Sequence, residues 1–131
     1  MKCSICGNEC VGESHNASPV SEKSCCDKCN TNVVLPIRLF QSGAYPNHAL
    51  LITTDGTIKF LKPKGRTFEL KEVKSFVQGY IEIYPIDIPN CVVVVNEEGL
   101  IHELPFNRIA QLTFGIEAVG PVLVSPLSIF E

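Results

Sequence analysis

Between positions 49 and 62 two apolar runs, Ala49-Leu50-Leu51-Ile52 and Ile58-Lys59-Phe60-Leu61, flank an Asp55-Gly56 pair. Asp-Gly between such runs is the signature of a two-residue type I′ hairpin. That loop pairs Thr53 with Ile58 and Leu51 with Phe60 on the core face and leaves Ile52 and Lys59 on the other. Leu70, Val73, Phe76 and Val77 then recur at helical spacing and predict a helix running from a Thr67 cap to Gln78, with Glu69 favourable in its first turn and Gly79 as its stop. Tyr80 to Ile86 alternates as a strand, and Pro89-Asn90 turns the chain. Cys91-Val92-Val93-Val94-Val95 is apolar throughout, which predicts a central strand buried on both faces, with Cys91 an inert core residue. Asn96-Glu97-Glu98-Gly99 reads as a turn and Leu100 to Leu104 as one more strand. Asn107 caps a short helix that ends at Gly115, with Ile109 and Leu112 inward. Val119 to Val124 forms the last strand, on a sheet edge where a second copy could pair with it.

The N-terminal third has a different texture. Val33, Val34, Ile37 and Phe40 fall on one helical stripe, which Pro36 kinks or interrupts. Gln41 to Asn47 reads as a linker, so the chain divides into a module at 1–41 and a body at 48–131. The body is ββαβββαβ, an antiparallel or mixed sheet with two helices, and the class is α+β.

Composition bounds the picture without changing it. The 131 residues are 45% hydrophobic and 19% charged, ordinary globular usage for one compact body. The longest apolar run, Cys91 to Val95, is far short of the ~20 residues that span a bilayer. No apolar stretch behind Met1-Lys2 resembles a signal peptide, so a soluble cytoplasmic protein is expected. The net charge is −3, unevenly spread. Six basic residues between Lys59 and Lys74 face only Glu69 and Glu72, whereas from Ser75 onward Arg108 is the one cation against seven acids. This balance disfavours nucleic acid as the main partner, because duplex binding draws on phosphate neutralisation.

Six of the seven cysteines, Cys3, Cys6, Cys10, Cys25, Cys26 and Cys29, lie in the first 29 residues. In a reducing compartment such crowding points to metal rather than disulfides. Cys3-Ser4-Ile5-Cys6-Gly7 and Cys26-Asp27-Lys28-Cys29 are paired two-residue knuckles, a spacing that lets both sulfurs of each reach one ion across a tight turn. Four thiolates on Cys3, Cys6, Cys26 and Cys29 predict tetrahedral Zn2+, with iron the rival metal and Cys10, Cys25 and His15 the alternative ligands. With Zn2+ bound, the charge at the site is −4 + 2 = −2 and the chain's net falls to about −5. A filled shell makes the metal structural, since a catalytic zinc keeps an open position. The His-x-Glu and Pro-Cys-x-x-Cys elements of zinc deaminases are missing, as His15 is followed by Asn16-Ala17 and Ser24-Cys25 precedes the second knuckle. A helix after Cys29 makes the module a treble clef, and a strand there makes it a zinc ribbon. With little besides Ile5, Val11 and Val20 to bury, residues 1–32 should not fold without metal.

Phosphate loops, dinucleotide fingerprints and nucleophile elbows are missing, and no catalytic residue is assigned. His15, His48 and His102 are scattered. His102 and Glu103, as neighbours on a strand, would point to opposite faces and not cooperate. Outside the metal site the one candidate for ligand binding is Phe106-Asn107-Arg108, where a helix start and a lone cation could receive a small anionic ligand.

Three stretches in order, Val77-Gln78-Gly79-Tyr80-Ile81-Glu82, Val94-Val95-Asn96-Glu97-Glu98-Gly99 and Leu104-Pro105-Phe106-Asn107-Arg108, carry a resemblance over residues 70–124. They resemble an uncharacterised domain family, a domain of unknown function found mainly in phage and mobile-element proteins. The cysteine module followed by Val33-Val34-Leu35-Pro36 is similar to small phage-encoded zinc-knuckle proteins. The resemblance implies a phage accessory protein acting in a bacterial cytoplasm. The expected role is noncatalytic, binding a host protein or a small, nucleotide-like ligand in host takeover or anti-defence, with homo-oligomers allowed. A zinc-dependent nucleic-acid-binding regulator is the alternative, and an enzyme acting on a nucleotide signal comes last.

Overall fold

The structure is a computed structural model and describes residues 1–130. Glu131, the final position of the expected 48–131 body, lies outside the described residues. The fold is α+β: a small cysteine-rich module and a five-stranded antiparallel sheet with helices on both faces.

In the module, the first knuckle closes on itself through Cys3 N–H to Asn8 O (2.8 Å) and Gly7 N–H to Cys3 O (3.0 Å). A short hairpin follows, with β1 at His15–Asn16 and β2 at Ser24–Cys25. The second knuckle opens helix α1, Asp27–Cys29, which continues through a π-helical stretch, Asn30–Val34, into α2, Leu35–Gln41. Knuckle, hairpin and helix follow in the treble-clef order. The sequence foresaw a kink at Pro36, and the π turn is how the helix absorbs it. Leu35 N–H reaches back five residues to Asn30 O, which places Pro36 in the first turn of α2, where a missing N–H costs little.

The body begins with β3, Ala49–Ile52, and β4, Ile58–Leu61. Their register corrects the expected one by a residue: Ile52 faces Ile58 and Leu50 faces Phe60. The turn holds three residues rather than two. Thr53 N–H donates to Thr57 O (2.9 Å), Gly56 takes φ +92°, and the Thr53 hydroxyl bonds both Asp55 and Thr57 O. Three-residue hairpins use a glycine at this left-handed position. The extra residue flips β3, so Leu50 and Ile52, not Leu51, enter the core beside Ile58.

Helix α3, Leu70–Val77, starts two residues later than expected. Glu69, not Thr67, is its N-cap, and Glu72 reaches back to Glu69 N–H (2.9 Å). Its end is also reassigned. Gln78 takes the left-handed turn at φ +66°, while Gly79 is glycine because a Cβ there would lie 2.8 Å from Asn96 Nδ2. Leu70, expected on the buried stripe, is exposed, and Val73 and Val77 carry the packing. Strand β5, Ile81–Ile83, is shorter than the expected Tyr80–Ile86, since Pro85 offers no N–H to a ladder.

Strand β6, Cys91–Asn96, is buried on both faces as expected. The strand read at Leu100–Leu104 is instead a coil of turns. His102 N–H donates to Glu98 O, Glu103 N–H to Leu100 O and Leu104 N–H to Gly99 O, which spends the backbone locally. His102 therefore sits on a turn, 3.5 Å from Glu98. Helix α4, Arg108–Phe114, has the expected Asn107 cap and Gly115 terminus. Strand β7, Val122–Pro126, and the short helix α5, Leu127–Phe130, finish the described chain.

The strand order is β4-β3-β7-β6-β5, so β7 is the middle strand and not an edge. Its backbone pairs with β3 on one side and β6 on the other, and its apolar run Val122-Leu123-Val124 is covered on both faces. Leu50, Ile52, Val93, Val95, Val122 and Val124 face the side covered by the cysteine module and α4. Ala49, Val94 and Leu123 face Phe68, Val73, Val77 and Ile129. The module is thus a lid on the sheet: Ile5, Ala17, Val20, Val33, Val34 and Ile37 join the strand residues in one core. Val11, expected to contribute, is 85% exposed.

Candidate metal centre

The two knuckles bring the sulfurs of Cys3, Cys6, Cys26 and Cys29 within 4.8 Å of one another. Cys6 Sγ and Cys26 Sγ are 3.9 Å apart. A tetrahedral ion with metal–sulfur bonds of ~2.3 Å requires sulfur–sulfur edges of ~3.8 Å, so the donor set fits such an ion. The fold fixes the sulfurs from three directions. Ser4 N–H donates to Ser24 O (2.9 Å) and ties the first knuckle to the hairpin. Asn30 N–H donates to Cys26 O (2.9 Å) and starts the helix from the second knuckle. Arg38 donates to Ser18 O and Asn16 O, both at 2.8 Å, holding α2 to the hairpin loop.

The backbone also prepares a thiolate. Ile5 N–H and Cys6 N–H each point at Cys3 Sγ (3.4 Å). Burial alone would push this thiol up, but the backbone N–H bonds outweigh it and bring Cys3 down to about 6. Cys29 shifts the opposite way, raised by burial and then by the neighbouring sulfurs. Burial raises Cys6 as well. A metal-free nest therefore accepts one negative charge readily and resists others, and a divalent cation is what makes four thiolates compatible. Cys3 and Cys29 are buried, while Cys6 is exposed beside a cleft of about 430 Å³ that also reaches Asp55 and Gly56 of the β3–β4 turn.

The alternative ligands lie outside the cluster. Cys25, in β2, is fully buried in the core, its thiol raised by burial, and pairs across the hairpin with His15. His15 Nε2 is in contact with Asp27 Oδ1. Cys10 is half-buried at the margin of the module, where its N–H donates to Met1 O (2.8 Å).

Phe106, Asn107 and Arg108 are engaged in holding the fold. Asn107 is fully buried: its Oδ1 accepts Ala110 N–H (3.0 Å), and its Nδ2 donates to Ile52 O (2.9 Å) and Gly120 O (3.0 Å). Phe106 forms a bridge with Val119 and is 46% exposed. Arg108 Nε donates to Ile5 O (3.1 Å), so the cation of the acidic half pins the first knuckle to α4. In the sequence Arg108 stands out only as the one cation of the acidic half, and its partner lies 103 residues away. Replacing Arg108 by Met should leave the sheet folded and loosen the knuckle, with metal transfer to a competing chelator accelerating several-fold in stopped-flow measurements. Unchanged transfer kinetics would show that the bond does not hold the site.

Among the described residues no helix is long and apolar enough to cross a membrane. A family model described as a domain of unknown function (DUF3846) matches residues 48–127. No curated protein and no solved structure matches the chain.

Proposed function

The chain belongs to the DUF3846 family, a domain of unknown function, and from that premise we propose a noncatalytic binding protein of phage or mobile-element type, held in shape by a structural Zn2+. The observation that carries the reading is the four-sulfur nest of Cys3, Cys6, Cys26 and Cys29. Four thiolates fill a tetrahedral shell, so an ion there supplies a cross-link and has no vacant position at which to polarise a substrate. Zn2+ is favoured over iron because a structural role needs no redox change. Around the clamp, the body presents its surface to a host protein or a small anionic ligand, in host takeover or in blocking a defence.

Native mass spectrometry of protein purified from its bacterial host tests the reading. The expected spectrum contains one Zn2+ per chain, which persists until a chelator removes it, and X-ray absorption gives four sulfur neighbours. Iron in place of zinc, or an oxygen neighbour that exchanges with solvent, would overturn the structural assignment.

A second reading, a zinc-dependent nucleic-acid-binding regulator, is favoured by one feature. Lys62, Lys64 and Arg66 line a depression of about 400 Å³ together with Asn47 and Ser128. That reading requires affinity for DNA or RNA that falls steeply as salt rises, with a slope set by the phosphates neutralised.

A further inference from the structure

At the opposite edge of the sheet from β4, a groove of about 520 Å³ opens beside β5. Its rim carries Glu82, Glu97, Glu98 and Glu117, and no Lys or Arg lines it. Leu100, Ile101 and Phe106 form its apolar wall and are 82%, 75% and 46% exposed. Large aliphatic side chains clustered in the open at one place mark interaction surfaces. These are also held rigidly. The turns from Glu98 to Leu104 are closed by their own backbone bonds, and Gly99 lies so close to Val119 that a Cβ would stand 2.7 Å from its side chain.

The neighbouring strand edge adds direction. Tyr84 N–H bonds Val93 O and Glu97 N–H bonds Tyr80 O, so the backbone groups of residues 80, 82 and 84 turn toward β6. Those of Ile81 and Ile83 turn away from it, and among the described residues no strand lies on that side. An edge of this kind accepts an added strand through main-chain bonds, with side-chain pockets providing selectivity.

We propose that this groove and the β5 edge dock an extended segment of a partner protein that carries both Lys or Arg and aliphatic or aromatic side chains. Its apolar residues lie against Leu100, Ile101 and Phe106, and its cations meet the four-glutamate rim. The charge of the rim is what selects this occupant, since an acidic segment would place like charges together in a partly desolvated groove. The inference rests on the reading of the chain as a binding protein and assigns that reading a surface and a partner chemistry.

The test uses the full, metal-loaded chain and two short fluorescein-labelled peptides, one combining Lys with Ile and Phe and one with Glu in place of Lys. By fluorescence anisotropy the basic peptide should bind, and its affinity should drop roughly tenfold or more on replacing Glu98 and Glu117 by Lys, or Leu100 and Ile101 by Ser. Leu100 and Ile101 are so exposed that these replacements should leave the melting temperature unchanged, which separates lost docking from lost folding. Failure of the basic peptide to bind, equal binding of both peptides, or full affinity in the variants would overturn the proposal. A dimer that dissociates on replacing Leu100 and Ile101 would assign the face to a second copy and also overturn it. The metal count from mass spectrometry does not depend on these outcomes, so failure here leaves the clamp reading standing or falling by itself.

Discussion

Removing the metal is expected to unfold the whole chain, not the N-terminal module alone. Ile5, Ala17, Val20, Val33, Val34 and Ile37 share one core with Leu50, Ile52, Val93, Val95, Val122 and Val124, so a module that comes apart uncovers a full face of the sheet. Structural zinc contributes on the order of 10 kcal/mol to the folding of small metal modules, comparable to the ~5–15 kcal/mol that stabilises a whole domain. With a strong chelator, the thermal transition should lose its cooperativity and a dye for exposed apolar surface should bind. Replacing Cys29 by Ser should act in the same way. Hydrogen exchange gives the decisive measurement, because protection should disappear in β3, β6 and β7 along with residues 1–41. A sheet that keeps its protection while the module opens would show that the two fold independently. Acid should mimic the chelator. Binding the ion must displace protons from Cys6 and Cys29, both raised, whereas Cys3 at about 6 is already largely ionised at neutral pH. Metal affinity, and the stability linked to it, is therefore present at neutral pH and above, decreases as pH falls, and declines further once pH passes below the Cys3 value.

The second large effect is expected at Asn107. This fully buried amide caps α4 through Oδ1 and fills the carbonyls of Ile52 and Gly120 through Nδ2, joining a helix to the ends of the central strands. Asn107→Ala loses a cap, about 1 kcal/mol, together with the amide's bonds to the Ile52 and Gly120 carbonyls, at about 1 kcal/mol each. The total is about 3 kcal/mol, which lowers the melting temperature by roughly 10 °C or more for a chain of this size. Asn107→Asp keeps the cap but sets a carboxylate oxygen against the same two carbonyls, so it should be at least as damaging. If Asp were tolerated while Ala was not, the cap alone would matter and the bridging role would be wrong.

The legible parts of the sequence were those whose physics is local. Two Cys-x-x-Cys pairs announce their cluster because the spacing itself brings the sulfurs to one point, and Asn107 with Gly115 marks both ends of α4. Cys91 to Val95 discloses double burial by having no polar alternation. What stayed hidden depends on partners far along the chain. Whether Asp55-Gly56 is a two- or three-residue turn is decided by Thr53, whose hydroxyl satisfies Asp55 and Thr57 O, and a single residue reverses which side of β3 is buried. Leu100 to Leu104 has strand-forming residues, but Gly99 against Val119 and local backbone bonds bend it into turns, and the groove wall went unseen as a result. The central place of β7 is a matter of pairing order, on which its own residues are silent beyond demanding cover on both faces. Arg108 was visible as an isolated cation, yet its bond to Ile5 O spans nearly the whole chain and leaves no trace in the spacing of residues.

Because β7 sits between β3 and β6, the last of the five strands to leave the ribosome is the one that unites the others. Until then the nascent chain holds two separate ribbons, β3–β4 and β5–β6, each too small to be stable alone. Until β7 emerges the chain therefore carries two half-sheets awaiting their joint, and the knuckles, complete long before, can collect their ion while later strands are still being translated.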